Sequence, residues 1–125
     1  IYNSWPLMGS SFFPDDNDYS NLFKLSAFSD PSLVQFIHRK LAYLIGFIYL
    51  YLLFKIYKKK MTSLYKSINI VGILILLQIV LGIFTLLYGA QILIASMHQI
   101  SSIFLVASCI YFLFINTKSN LQLSN

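Results

Sequence analysis

The stretch that decides the fold is residues 34–54, which read VQFIHRKLAYLIGFIYLYLLF. After the trio His38-Arg39-Lys40, this stretch carries no further charge up to Phe54. A run of this length and hydropathy is typical of a helix that spans a membrane. A histidine followed by two cations near the start of such a helix indicates a functional position, because ionisable groups in membrane spans usually face the interior of a helix bundle.

The composition of the 125-residue chain is that of a membrane protein. Hydrophobic residues make up 58% of it and charged residues 10%, whereas soluble domains carry roughly 25% charged residues. The mean hydropathy is +0.72, and the length allows at most one domain. Because the chain begins at Ile1 without a methionine or a signal peptide, we expect it to be part of a longer protein.

Hydropathy and helix-breaking residues divide the chain into six segments. Residues 1–30 are polar, with scattered aromatic residues, and are expected to form an external loop. Asp30-Pro31 is a typical helix start, since an aspartate caps free backbone N–H groups and a proline fits the first helical position. The segments expected to follow are a first span at 31–57, a basic cytoplasmic loop at 58–67, a second span at 68–89, a third span at 92–115 and a weakly structured cytoplasmic tail at 116–125.

The distribution of charge predicts the orientation of these spans. All four acidic residues lie before the first span, and lysines crowd the first connection. The positive-inside rule therefore places that connection in the cytoplasm. We interpret the lysines as solvated anchors, with lipid or nucleic-acid recognition as the less favoured alternative, and we expect no nucleic-acid partner. The lysines are Lys55, Lys58, Lys59, Lys60 and Lys66.

The two histidines of the chain reach similar depths in this topology. His38 lies seven residues after Pro31 and His98 six residues after Ile92, so each lies about 10 Å along a helix that runs inward from the outer surface. We predict that the two imidazoles face each other and ligate a heme iron, since helical bundles build cofactor sites from facing helices. Arg39 and Lys40 are placed to pair with heme propionates near that surface.

Other interpretations of these residues stay open. A lone histidine in a span is often a hydrogen-bonded packing residue, and a different metal would need further ligands at that depth. Arg39 also suits the role of an interface anchor. The second nitrogen of a ligating imidazole needs a hydrogen-bond partner, for which the candidates are Gln35, Gln99, Ser102 and backbone carbonyls.

One face of the second span carries small and polar residues at spacings of three and four. Such a face lets membrane helices approach closely. The sequence therefore predicts tight packing of this face on a neighbouring helix. The residues are Gln78, Gly82, Thr85 and Gly89.

Several segments resemble heme A synthase, a family of cytochrome oxidase assembly. VQFIHR at 34–39, followed by LAY at 41–43, resembles the start of the sixth span of that enzyme. LGIFTLLY at 81–88 and ASMHQ at 95–99 resemble its last two spans. YNSWPLM at 2–8 resembles the external loop after its fifth span, so the resemblance covers nearly the whole chain in the right order.

The resemblance implies a function for the longer protein. Heme A synthase oxidises a methyl group of heme O to a formyl group, giving heme A for cytochrome c oxidase. Its eight spans form two four-helix halves, each with a histidine pair near the outer face. This chain resembles the C-terminal half, which carries heme B. The implied heme B-binding residues are His38 and His98, as axial iron ligands, with Arg39 and Gln99.

No catalytic residue is expected in this half. The N-terminal half of the family is thought to bind the substrate heme and has a glutamate three residues before its first histidine. The corresponding position here is Gln35. The resemblance therefore implies an electron-transfer half rather than the half that oxidises the substrate.

The expected fold class is an all-α membrane protein whose three transmembrane helices form part of a four-helix heme-binding bundle. One helix of this half and the whole substrate half are missing, so we expect an oxidoreductase only in the full-length protein and an inactive isolated chain. The expected partners are the lipid bilayer, the N-terminal half with its heme O, heme O synthase and cytochrome oxidase assembly factors. The expected location is the cell inner membrane or the mitochondrial inner membrane, as a multi-pass protein.

Two alternative functions remain at this point. One is a small bis-histidine membrane cytochrome that transfers electrons without substrate chemistry. The other is a membrane assembly protein without heme.

Overall fold

The chain folds into three long helices joined by short connections. A computed structural model describes residues 2–123, and at 122 and 123 it describes the backbone alone. All three long helices have the length and hydropathy needed to cross a membrane. The predicted all-α membrane fold with three spans is confirmed. The helices are α1 at Pro31–Lys58, α2 at Tyr65–Leu87 and α3 at Ile92–Leu123, with 3₁₀ helices at Tyr19–Phe23, Leu25–Phe28 and Thr62–Leu64.

The start of α1 is fixed by the predicted cap. The Asp30 carboxylate accepts hydrogen bonds from the backbone N–H groups of Ser32, at 2.9 Å, and Leu33, at 3.1 Å. Pro31 occupies the first helical position, where its missing N–H leaves nothing unsatisfied. The register of α1, and with it the depth of His38, therefore follows from this cap.

The end of α3 differs from the prediction. The helix continues without a break through the polar residues 116–123, so the prediction of a weakly structured tail is wrong for these residues. No glycine or proline occurs between Ile92 and Leu123 to stop the helix. The Ser119 hydroxyl also lies 3.0 Å from the Ser63 hydroxyl, which links the end of α3 to the connection between α1 and α2. The rest of the predicted tail, residues 124 and 125, lies outside the described residues.

The three helices meet in a buried cluster at what we call the lysine end, formed by the end of α1, the start of α2 and the end of α3. Ile56, Leu64 and Ile68 are its buried centre, each at most 4% exposed. Partly buried side chains from all three helices surround this centre. They are Tyr49, Leu52, Leu53, Met61, Tyr65, Phe112 and Ile115.

At the opposite end, called the histidine end, are the start of α1, the end of α2 and the start of α3. There the start of α1 packs on the preceding loop, in a cluster of Phe13, Ala27 and Leu33. α2 packs much more extensively on α3 than on α1. α1 does approach α2 closely where the Tyr49 hydroxyl occupies the space that a Cβ at Gly72 would take.

Candidate functional site

The two histidines meet at the histidine end. α1 presents His38 and α3 presents His98, and the two imidazole centroids lie 6.3 Å apart with ring planes at 86°. His38 is exposed, whereas His98 is partly buried. The two rings are therefore neighbours, as the predicted topology requires, and their role as iron ligands stays a prediction.

The His98 imidazole lies against the backbone of α2 at Gly82. A Cβ built on Gly82 would lie 3.2 Å from Cε1 and 3.7 Å from Nε2 of that ring. Only a residue without a side chain leaves the imidazole in this position unstrained. The predicted close approach at the small face of α2 is therefore confirmed, and the group it admits is the His98 ring.

Gln78 ties the first turns of α3 to α2. Its amide Nε2 donates to the carbonyl of His98, at 3.1 Å, and to the Ser101 hydroxyl, at 2.6 Å. The Ser101 hydroxyl donates to the same His98 carbonyl at 3.0 Å. The sequence assigned Gln78 only to a packing face; the available signal was that a polar amide inside a span needs a partner on a neighbouring helix.

One nitrogen of His98 is left without a partner. Nδ1 is buried and makes no hydrogen bond within the described residues. The partners suggested by the sequence do not supply one, so that suggestion is wrong for this ring. Gln35 bonds the backbone of Tyr2, the Ser102 hydroxyl donates to the Gln99 carbonyl, and the Gln99 side chain is exposed. The reason is that the ring packs on α2, away from these side chains.

The spacing of the two rings fits a single metal between them. A metal–imidazole bond of about 2 Å on each side, plus about 1 Å from each nitrogen to its ring centre, gives a centroid separation of about 6 Å. The observed 6.3 Å agrees with this value.

The donor set favours heme over a bare ion. No group of three or more His, Cys, Asp or Glu side chains comes together in the described range. A zinc site built from protein needs at least three such ligands. A heme macrocycle supplies the other four ligands and leaves axial positions that histidines fill. The two neighbouring imidazoles therefore fit a heme.

Arg39 and Gln35 hold the loop that precedes α1 over the start of that helix. The Arg39 guanidinium donates to the carbonyls of Ser4 at 2.9 Å, Leu7 at 3.1 Å and Pro6 at 3.3 Å. Gln35 bonds the backbone N–H and carbonyl of Tyr2, at 3.0 and 2.9 Å. The nearest polar neighbours of His38 on α1 thus anchor this loop. The pairing of Arg39 with heme propionates stays a prediction.

The same loop extends toward the turn between α2 and α3. The Asn3 side-chain nitrogen lies 3.8 Å from the position of a Cβ on Gly89, in that turn. The turn itself uses left-handed backbone at Gly89 and Ala90, with φ of 66° and 57°. The segment of residues 2–7 therefore lies between α1 and the turn that joins α2 to α3.

Lys40 lies among aromatic rings of the loop and of α1. Its ammonium is 4.9 Å from the centroid of Phe36, 5.8 Å from that of Tyr43 and 5.9 Å from that of Phe12. Such cation–π contacts stabilise a cation at the edge of an apolar region. No contact described here tests whether Lys40 or Gln99 binds heme, and both roles stay predictions.

Comparison with known proteins identifies the family of the chain. Residues 1–110 match the family described as cytochrome oxidase assembly protein. The chain belongs to this family. The resemblance noted in the sequence, to heme A synthase, is thereby confirmed at the level of the family and of its named members.

Relatives of this family member carry the name heme A synthase. The chain is 44% identical over 120 residues to the protein of Pelagibacter ubique. The matched region is 96% of this chain and 34% of that protein. The chain is 40% identical over 115 residues to the protein of Rickettsia felis (92% and 34%) and 38% identical over 119 residues to that of Rickettsia prowazekii (94% and 35%). The chain thus spans about a third of the length of these relatives. No solved structure matches it significantly.

Proposed function

We propose that this chain is the C-terminal, heme B-carrying part of a heme A synthase, the enzyme that oxidises the methyl group of heme O to the formyl group of heme A. The observation that carries the proposal is the proximity of His38 and His98 at 6.3 Å in a member of this family.

Different residues of the chain have different roles in the proposed heme B site. His38 and His98 would hold the heme iron, and Gln78 fixes the backbone that carries His98. Bound between them, heme iron supplies one-electron transfer. The residue three positions before His38 is Gln35, an amide that bonds Tyr2, so this position supplies no carboxylate to act as a base. These features support electron transfer in this half and substrate oxidation elsewhere in the longer protein.

The remaining parts of the proposal concern the surroundings of the site. An additional helix of the longer protein completes a four-helix bundle around the heme, and the N-terminal half binds the heme O that heme O synthase supplies. The lysine end faces the cytoplasm, because positively charged loops are retained there. The membrane is the cell inner membrane or its mitochondrial counterpart, where cytochrome oxidase assembly factors are the further partners.

The test is the heme B content and the reduced-minus-oxidised absorption of the full-length protein. We expect His38→Ala and His98→Ala each to abolish the low-spin bis-histidine signal of this half, because a single imidazole leaves one axial position open. A His98→Gly variant supplied with free imidazole is expected to recover the signal, which separates lost ligation from misfolding.

The matched control is Cys109→Ala. It removes the thiol of α3 eleven residues after His98, about 16 Å along the helix. Its spectrum is expected to equal that of the unaltered protein. Retention of the full heme B signal in both histidine variants would refute the assignment of the ligands and with it the proposed function.

A further inference from the structure

A shallow groove lies between α1 and α2 at the lysine end. It has a volume of about 420 Å³. α1 supplies most of its wall and α2 supplies one polar side chain. The lining residues are Leu50, Leu53, Phe54, Tyr57 and Asn69.

The groove changes from apolar to polar along its length. Leu50 precedes Tyr57 by seven residues, so they lie about 10 Å apart along α1. At the polar end, the Tyr57 hydroxyl and the Asn69 amide are hydrogen-bonded at 3.0 Å. An apolar part toward the middle of the bundle and a polar part at its end match the order of acyl chain and headgroup in one leaflet of a bilayer.

Positive charge lies beside the wall that α1 gives to the groove. The Lys58 ammonium is 5.5 Å from the centroid of Phe54, which lines the groove. The Lys55 ammonium lies 6.0 Å from the ring centroid of Tyr51. Tyr51 precedes Lys55 by one turn of α1. All acidic residues of the chain occur between 15 and 30, at the other end, so the sequence places no carboxylate near these lysines.

We propose that this groove is a binding site for one anionic phospholipid. An acyl chain lies along Leu50, Leu53 and Phe54. The phosphodiester accepts hydrogen bonds from Tyr57 and Asn69 and pairs with the Lys58 ammonium. A headgroup with net negative charge is favoured, because juxtamembrane lysines attract anionic lipids. The site lies at the opposite end of the bundle from the histidines and does not depend on heme.

The chemistry of the groove argues for a lipid rather than for another apolar helix. Tyr57 and Asn69 are already paired with each other, but a helix packed here would bring apolar atoms toward the Lys58 ammonium. Burial of a charge without a partner is unfavourable. A phosphate pairs with that charge and leaves the headgroup in water.

The test uses the full-length protein, purified and delipidated in detergent, with native mass spectrometry as the readout. Phosphatidylglycerol and phosphatidylcholine with the same acyl chains are added in parallel. We expect one phosphatidylglycerol to be retained in preference to phosphatidylcholine. Lys58→Gln is expected to weaken this binding about five-fold, and Leu50→Trp, which fills the apolar part while keeping every charge, is expected to abolish it.

The matched control is Lys118→Gln, which removes the same charge from the end of α3, outside the groove lining. Its lipid binding is expected to equal that of the unaltered protein. Equal retention of the two lipids, survival of binding in Leu50→Trp, or equal losses in Lys58→Gln and Lys118→Gln would each overturn the proposal, since they would indicate diffuse surface charge. Heme content serves as the measure of folding for every variant.

Discussion

Gly82 controls the position of the His98 ring. Its missing side chain leaves the space in which Cε1 lies, 3.2 Å from where a Cβ would be. Gln78, one turn away on α2, fixes the backbone of His98 through the carbonyl. The imidazole is therefore positioned by two residues of a helix that carries no ligand of its own.

Gly82→Ala is expected to move the His98 ring by a few tenths of an ångström and to change the axial ligand geometry. The strain of overpacking, typically about 1–3 kcal/mol, is partly offset by the better helix propensity of alanine, about 1 kcal/mol. Stability should therefore change little, while the electron paramagnetic resonance g-values of the oxidised heme shift.

Gly46→Ala is the matched control, because a Cβ on Gly46 of α1 has no atom within 4 Å. Its g-values are expected to stay at those of the unaltered protein. If Gly82→Ala also left them unchanged, the contact between Gly82 and His98 would have no part in setting the ligand geometry.

At the scale of the elements, the sequence predicted the features that neighbouring residues determine. Asp30-Pro31 gave the start of α1, and counting from that start placed His38 level with His98. The continuation of α3 past 116 was missed, because the polarity of residues 116–123 was taken as a sign of weak structure although no glycine or proline ends the helix there. The contact of Ser119 with Ser63 joins residues that lie far apart in sequence. The partners of Gln78 were also missed. Helical periodicity shows which residues of α2 share a face, but it does not show which atoms of α3 lie opposite that face.

The cap of α1 predicts a dependence on acid pH. Hydrogen bonds from the Ser32 side chain, then from the Leu33 N–H and Asn17, hold the pKa of Asp30 below its usual 3.8. Because the folded-state pKa is the lower one, the ionised cap stabilises the helix start at pH above the unfolded value. That stabilisation is lost as the pH falls through the folded pKa. Protection of the amides of residues 32 and 33 against hydrogen exchange, corrected for intrinsic rates, should fall in this window below 3.8.

Asp30→Asn keeps an acceptor at the cap, so we expect protection near neutral pH to persist and its acid dependence to disappear. Asp30→Ala should lose protection at every pH. Asp18→Ala is the control, because Asp18 precedes the 3₁₀ helix Tyr19–Phe23 without a side-chain cap bond. An unchanged acid profile in Asp30→Asn would show that another group controls the helix start.

At the scale of the whole molecule, the two ends of the bundle are held together differently. The lysine end has a buried cluster drawn from all three helices. At the histidine end, residues 2–7 bridge α1 and the turn at Gly89, with Arg39 and Gln35 as anchors. The site thus lies where the helices rely on the loop and, in our proposal, on heme and on a further helix of the longer protein.

This arrangement predicts that the 125-residue chain alone makes no heme A. When it is expressed in membranes supplied with heme O, pigment extraction should give heme O unchanged, because in our proposal the substrate heme binds to another part of the longer protein. The chain covers 34% of the length of its Pelagibacter ubique relative. The full-length protein under the same conditions is the positive control, and co-expression of the chain with the remainder of that protein should restore heme A.

A bis-histidine spectrum from the chain, with no heme A even from the full-length protein, would favour a small electron-transfer cytochrome instead. Heme A formed by the chain alone would place the oxidising site within α1, α2 and α3 and so contradict the division between the two halves.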